Sequence, residues 1–175
     1  MFNPINDTIE LFRRKYIPLI GTFVSLYNEY NGTEYYVEST TNGEQFVGRV
    51  DMSEEAFERV LASMGFERNP LSSLKRLAST GEQEEGSFRW TPTEPTNLNT
   101  DYQLHCVIYD GSAVPDADTG ETYVYAHWEL RWDTRPIDHY NGVGIDFTSG
   151  KNMMQEMLDD EGVEYVNSPP PNISE

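Results

Sequence analysis

The chain contains three histidines, and all of them fall within or just after two segments whose apolar residues alternate as in β-strands. His105 lies in the first segment, His127 lies in the second, and His139 follows the second. Alternation places His105 and His127 on the polar faces of their strands, with Glu129 two residues further along the same face. Two imidazoles and a carboxylate are a ligand set of zinc and non-haem iron, and a His–Glu pair can transfer protons without a metal.

Whether these side chains meet depends on the register of the two strands. In an antiparallel ladder without a bulge, opposing residues share a face, so their numbers sum to an even value. A sum of 232 places His105 opposite His127, with Cβ atoms about 5 Å apart, and Gln103 opposite Glu129. A sum of 230 places His105 opposite Tyr125 instead. The register therefore decides between a two-histidine site and two separate histidines.

The histidines have three interpretations. In the first register, His105, His127 and Glu129 form a site for one divalent transition metal, and Asp138-His139 can fold back over it to add a ligand. The protein is then a metal-dependent hydrolase, or a metal-free one in which the same three residues transfer protons. In the third interpretation the histidines bond to carboxylates or to a partner, with no catalysis and no cofactor. We favour the third, because no motif with fixed ligand spacing is present.

Other enzyme signatures are missing from the sequence. It has no phosphate-binding P-loop, no dinucleotide-binding glycine motif, no nucleophile elbow and no H-E-x-x-H zinc motif. The one cysteine, Cys106, can form no disulfide within the chain and no cysteine cluster for zinc. Alternation directs Cys106 to the apolar face with Leu104 and Ile108, where we expect it to act as a small hydrophobic side chain.

The same polar faces carry several tyrosines, which suggest a contact surface. Tyr109, Tyr123 and Tyr125 lie on them, together with Arg131. Tyrosine and arginine are enriched at protein–protein interfaces. We therefore expect these four residues to contact a protein partner or a second copy of the chain.

Apolar periodicity and turn residues divide the chain into elements that fit one α+β domain over residues 1–166, with an antiparallel sheet and helices packed on one face. The predicted elements are a helix over 7–30 with a kink near Pro18, a hairpin over 34–50, helices over 54–64 and 70–79, strands over 87–91, 102–109 and 122–132, a helix over 149–161, and an extended proline-rich tail over 167–175.

The two helices predicted within residues 53–79 are followed by strands, as in a winged-helix DNA-binding domain. The second helix would offer Ser72, Ser73, Lys75 and Arg76 to a DNA groove. Two adjacent helices that simply pack on a sheet are far commoner than a DNA-reading pair. We therefore keep DNA binding as an alternative and do not expect a nucleic-acid partner.

Acidic residues outnumber basic ones by 30 to 12, which gives a formal net charge of −18. Such a charge excludes ordinary polyanion binding, because there is no basic surface to release counterions. Three of the basic residues are lysines and nine are arginines. Excess carboxylate with few lysines is expected of a protein in molar salt, where the Debye length falls to about 3 Å and self-repulsion is screened. We therefore predict a halophilic protein.

No export signal and no membrane contact are predicted. Arg13-Arg14-Lys15 precedes the mostly apolar segment 16–27, which superficially resembles a twin-arginine signal. A helix needs about 20 residues to span a bilayer, and no small-residue cleavage site follows this segment. We expect a protein of a high-salt cytosol or, alternatively, of a virion.

Two stretches of the sequence resemble small uncharacterised proteins of haloarchaea and of haloarchaeal viruses. They are residues 52–71, MSEEAFERVLASMGFERNPL, and residues 123–129 with 135–142, YVYAHWE and RPIDHYNG. The resemblance agrees with the salt prediction and implies no catalytic or binding residue. It suggests a structural or interaction protein, such as a component of a tailed haloarchaeal virus.

Overall fold

Four helices and seven strands form the described part of the chain, which in a computed structural model comprises residues 4–31, 38–69, 72–92, 101–114 and 120–169. The elements in chain order are α1 (Pro4–Asn31), β1 (Glu38–Thr41), β2 (Phe46–Val50), α2 (Glu54–Ser63), β3 (Glu67–Arg68), β4 (Leu74–Leu77), β5 (Gly86–Trp90), β6 (Tyr102–Asp110), β7 (Thr122–Leu130), α3 (Pro136–Tyr140) and α4 (Phe147–Glu161).

The two alternating segments, β6 and β7, pair as the central strands of a five-stranded sheet. The strand order is β2-β7-β6-β5-β3, and all neighbours are antiparallel. His105 lies opposite His127, and Gln103 lies opposite Glu129, so the register with a sum of 232 is confirmed. The α+β class and the antiparallel sheet are confirmed as well.

The apolar face of this sheet packs against α2 and α4. Both helices carry an apolar stripe, and both begin at a residue whose side chain accepts a hydrogen bond from a free backbone N–H, Ser53 for α2 and Asp146 for α4. Cys106 lies on this face and is fully buried, as predicted. The buried core consists of Val47, Val50, Phe57, Leu61, Phe66, Phe88, Leu104, Cys106, Ile108, Val124, Ala126, Met154 and Leu158.

The region before and after α2 differs from the prediction in two places. The hairpin over 34–50 is wrong: β1 pairs in parallel with β4, while β2 pairs with β7. The helix over 70–79 is also wrong, because residues 74–77 form the strand β4. Leucines spaced by three residues fit a helix, but pairing with β1 outweighs this local preference. The helix pair of a winged-helix domain is therefore not formed; residues 32–37 and 70–71 lie outside the described part.

Helix α1 is one continuous helix from Pro4 to Asn31, with Pro18 inside it. Proline has no backbone N–H, so the carbonyl of Arg14, one turn earlier, loses its helical partner. The side-chain Nε2 of Gln83 donates to that carbonyl at 3.4 Å, and the Arg14 guanidinium binds the side chain of Glu85. Within the described residues no helix combines the length and the apolarity needed to cross a membrane.

Candidate metal centre

Three side chains of the predicted site converge on the polar face of β6 and β7. His105 Nδ1 lies 3.2 Å from His127 Nε2 and 3.1 Å from Glu129 Oε1. His127 Nε2 lies 3.0 Å from Glu129 Oε2. The three residues form the one group in the described ranges that could hold a metal ion with three or more His, Cys, Asp or Glu ligands. The register alone brings them together, because cross-strand neighbours are the closest side chains on one face of a sheet.

The three side chains are buried, but they border a cavity of about 340 Å³. The exposed fractions of His105, His127 and Glu129 are 1%, 3% and 5%. The remaining walls come from α1, from β1 and the segment leading into β4, and from the segment between α3 and α4. The described residues that line the cavity besides the triad are Ile17, Ser39, Thr40, Gln45, Ser72, Ser73, Lys75, His139, Tyr140, Ile145 and Phe147.

Hydrogen bonds on the outer side of each ring select its tautomer. His127 Nδ1 faces Gln45 Oε1 at 3.0 Å, and this oxygen only accepts, so Nδ1 carries the proton. His105 Nε2 lies 2.7 Å from Ser87 Oγ. Ser87 can accept the His105 proton while it donates its own to Ser72 Oγ, 2.8 Å away. With the outer nitrogens protonated in this way, the lone pairs of the two inner nitrogens face each other.

The charge states of His105 and Glu129 fit a cation between them. Burial lowers the pKa of His105 to about 3, so its ring is neutral at pH 7. Burial acts to raise the pKa of Glu129, but positive charge on His105 and His127, present when a proton lies on an inner ring nitrogen, outweighs burial and holds this pKa well below its ordinary value. Glu129 is therefore a carboxylate, and Gln103 Nε2 donates to its Oε1 at 2.9 Å. Lone pairs and a negative charge at this distance repel one another unless a proton or a metal ion lies between them.

The separations between the donor atoms match those of metal ligands. Zinc bonds to nitrogen and oxygen of about 2.0–2.1 Å place tetrahedral ligand atoms about 3.3 Å apart. Octahedral neighbours at bonds of about 2.1 Å lie about 3.0 Å apart. The observed distances of 3.0 to 3.2 Å lie at these values. The residues present therefore fit one transition-metal ion, and the cavity side is open for further ligands.

The backbone of His127 is supported directly by α4. Asp146, which precedes α4, exchanges two backbone hydrogen bonds with Trp128. A Cβ atom on Gly150 would lie 2.2 Å from His127 Cα and 2.4 Å from Trp128 N. Only glycine permits this approach of helix to strand. Gly150 therefore sets the distance between α4 and the strand that carries His127 and Glu129.

His139 is near the site but outside the triad. Its Nδ1 donates to the carbonyl of Leu130 at 2.6 Å and lies 3.7 Å from Glu129 Oε2. An N–H engaged in this way is not a metal ligand. The short helix α3, which was not predicted from the sequence, places the His139 ring in the cavity wall. His139 therefore folds back toward the site as expected, but its Nδ1 is not available as a metal ligand.

The predicted tyrosine contact surface is wrong. Tyr109, Tyr123 and Tyr125 are no more than 1% exposed, because Phe46, Leu77 and the segment 111–114 cover them. Arg131 is partly exposed and binds Asp133 through two hydrogen bonds. Alternation identified the face correctly, but it could not show that a second layer covers this face.

Several residues of the site were not found from the sequence. Gln45, Ser87 and Gly150 each act on a triad histidine from a distant part of the chain, and no local pattern marks them. Ser72, Ser73 and Lys75, which the DNA-binding alternative would place in a groove, line the cavity. Arg76, the fourth of that group, donates to the carbonyl of Gly81.

Comparison of the chain with protein-family models, with curated proteins and with solved structures gave no match.

Proposed function

We propose that this protein is a metal-dependent hydrolase of a small molecule, with one divalent transition metal bound by His105 Nδ1, His127 Nε2 and Glu129. The observation that carries the proposal is the convergence of His105 Nδ1, His127 Nε2 and the Glu129 carboxylate beside a cavity: the two nitrogens lie 3.2 Å apart, and each lies 3.0 to 3.1 Å from a different oxygen of Glu129. A metal ion in such a site supplies a bound water that ionises near neutral pH.

The surrounding residues have separate roles in this proposal. Gln45 and Ser87 hold the outer protons of the two rings and so keep the inner nitrogens free to bind. Glu129 neutralises part of the metal charge. His139 lines the same cavity without joining the triad and can exchange a proton with a bound substrate.

The cavity limits what can be a substrate. Its volume of about 340 Å³ is at the small end of the range for ligand pockets, about 300–1,000 Å³. Hydroxyl groups of Ser39, Thr40 and Ser73 line one part, and the apolar side chains of Ile145 and Phe147 line another. A small molecule with one polar and one apolar part fits these walls.

We also propose that the protein works at high salt, as a halophilic protein of the kind that its partial resemblance suggests. The net charge of −18 supports this. In a denaturation series from about 2 M KCl down to low salt, the free energy of unfolding should fall as screening is lost. Equal stability at both ends would contradict the salt proposal and leave the metal proposal untouched.

Metal binding is tested first, in about 2 M KCl. The protein is stripped with EDTA and titrated with Zn²⁺, Mn²⁺ or Fe²⁺, with the melting temperature and calorimetric binding as readouts. A metal at about 1,000 times its Kd stabilises the folded state by about 4 kcal/mol. His127→Ala should abolish this gain, whereas His139→Ala, a matched change in the same cavity, should keep it. Equal loss in both variants, or no gain in the wild type, would contradict the site.

Hydrolysis is tested separately, with the metal-loaded protein and panels of small carboxylic esters, amides and phosphate esters. The proposal expects turnover that EDTA removes and that His127→Ala lacks. Binding without turnover would contradict the hydrolase and leave the metal site. Turnover that survives EDTA but needs His127 would favour the metal-free acid–base mechanism instead.

A structural or interaction role, including one in a virion, is the second candidate. The buried tyrosines give it no support, but the exposed apolar side chains of α1 do. This role is compatible with a metal site elsewhere in the chain.

A further inference from the structure

Helix α1 carries a row of large apolar side chains that point away from the rest of the protein. Their exposed fractions range from 37% to 90%. They are Ile9, Phe12, Tyr16, Leu19, Phe23, Leu26 and Tyr30. We call this row the α1 seam.

The spacing of the α1 seam is three, four, three, four, three and four residues. This is the a/d pattern of a coiled coil, sustained over more than three heptads, and it forms a narrow stripe on one side of the helix. A helix that only packs on its own domain directs such a stripe inward. Here the stripe is outward, and no element in the described part of the chain covers it.

The opposite side of α1 makes the contacts with the rest of the chain. At about 100° per residue, Arg14 lies opposite the middle of the seam. Its guanidinium binds Glu85, and its carbonyl accepts from Gln83. Ile17, also off the seam, lines the cavity. Pro18 lies off the seam as well, so the loss of its N–H does not disturb the apolar stripe.

We propose that the α1 seam binds the α1 seam of a second copy, forming a two-stranded coiled-coil dimer. Large side chains bury about 150–250 Å² each, so the exposed parts of these seven present on the order of 800 Å². A standard interface buries about 800 Å² per partner, and single chains rarely expose an apolar patch of this size. A heptad seam is filled best by another heptad seam, and a second copy of the chain supplies one.

A membrane surface is a less suitable partner. Amphipathic helices that lie on membranes have a broad apolar face and a strongly basic polar face. The protein that carries such a helix must also not be repelled by anionic lipids. The net charge of −18 opposes contact with anionic lipid. The net charge also opposes dimerisation, but salt screens this repulsion. Dimerisation should therefore become stronger as salt rises.

The test measures the mass of the full chain by light scattering in about 2 M KCl, over a concentration series. The wild type should have twice the mass of the 20.1 kDa chain. Leu19→Glu, on the seam and 63% exposed, should reduce the mass to one chain while the variant keeps the circular dichroism spectrum of the folded protein. Leu11→Glu is the matched control, because Leu11 is 68% exposed but lies off the seam; this variant should stay dimeric.

Each other outcome would overturn the proposal. A wild-type mass of one chain at all concentrations would do so, and flotation with vesicles of phosphatidylcholine and phosphatidylglycerol would then show whether α1 binds lipid. Equal dissociation by Leu11→Glu and Leu19→Glu would show non-specific apolar association. A larger assembly that Leu19→Glu leaves intact would place the interface elsewhere.

Discussion

The polar face of β6 and β7 has two ends that look alike in sequence and differ in structure. One end carries His105 opposite His127, and the other carries Tyr109 opposite Tyr123. Both ends are buried. At the tyrosine end Tyr109 donates to Thr41 Oγ1 at 3.0 Å, and apolar side chains fill the remaining space. At the histidine end donor atoms converge on one point and a cavity remains.

Burial of polar side chains is therefore not what distinguishes a site in this molecule. At the tyrosine end the hydroxyls do not converge on one point, and burial of the aromatic rings stabilises that end. With the outer ring nitrogens protonated, the two inner nitrogens and the Glu129 carboxylate leave a surplus of lone pairs and negative charge that faces one point. That surplus, beside an open volume, is the feature that indicates a ligand.

The largest expected effect is the loss of stability when one methyl group is added beside His127, compared with the same addition near the tyrosine end. Gly150→Ala should destabilise the protein by about 3 kcal/mol or more, because its Cβ would lie 2.2 Å from His127 Cα and α4 would have to move off β7. Chemical denaturation measures this loss. Gly120→Ala is the control near the tyrosine end, where a Cβ meets nothing within 4 Å, and its effect should stay within about 0.5 kcal/mol. Similar losses in both variants would contradict the close helix–strand contact.

Acid and alkali should act on opposite ends of the face. The pKa of His105 is lowered by burial to about 3 in the folded state, so the unfolded chain binds more protons below its ordinary pKa of 6.5. Stability of the metal-free protein should therefore be lost as pH falls from about 6.5 toward 3. His105→Asn should flatten that part of the curve.

At the tyrosine end the sign is reversed. Burial raises the pKa of Tyr109 and of Tyr125 above the ordinary value of 10. The folded state then holds protons that the unfolded chain releases, so stability should be lost as pH rises above 10. Urea denaturation across pH, with EDTA present, measures both limbs. An alkaline limb that is unchanged in a Tyr109→Phe, Tyr125→Phe double variant would contradict this assignment.

Metal affinity should depend on the hydrogen bond that holds the His105 tautomer and not on the corresponding hydrogen bond at the tyrosine end. Ser87→Ala removes the partner of His105 Nε2 and should weaken metal binding by about 10- to 100-fold, as loss of such outer contacts does in metal sites. Thr41→Val removes the corresponding partner of Tyr109 and should leave metal affinity unchanged. Calorimetric titration compares the two variants. Equal affinities in Ser87→Ala and the wild type would mean that the His105 tautomer needs no support.

The part of the site that could be predicted from the sequence is the pair of strands that carries the two histidines and Glu129. Alternation and an even register sum left His105 opposite either His127 or Tyr125, because strand pairing leaves few choices, and the structure has the first of these pairs. The layer over this face could not be predicted. β1 and β4 are four-residue strands that pair in parallel across more than thirty residues, and leucine spacing in β4 imitates a helix. For the same reason the tyrosines looked like a surface, and the role of Gly150 had no local signal.

The smallest effect concerns two tyrosines of one cluster. Tyr109 donates a hydrogen bond to Thr41, whereas the hydroxyl of Tyr125 is buried with no partner among the described residues. Removal of a satisfied hydroxyl costs about 1 kcal/mol, but removal of an unsatisfied buried one relieves a desolvation penalty. Tyr109→Phe should therefore destabilise the protein by about 1 kcal/mol, and Tyr125→Phe should stabilise it by up to about that amount. Denaturation in EDTA measures both. The same sign for the two variants would mean that Tyr125 has a partner, and the tyrosine end would then resemble the histidine end more closely than its geometry indicates.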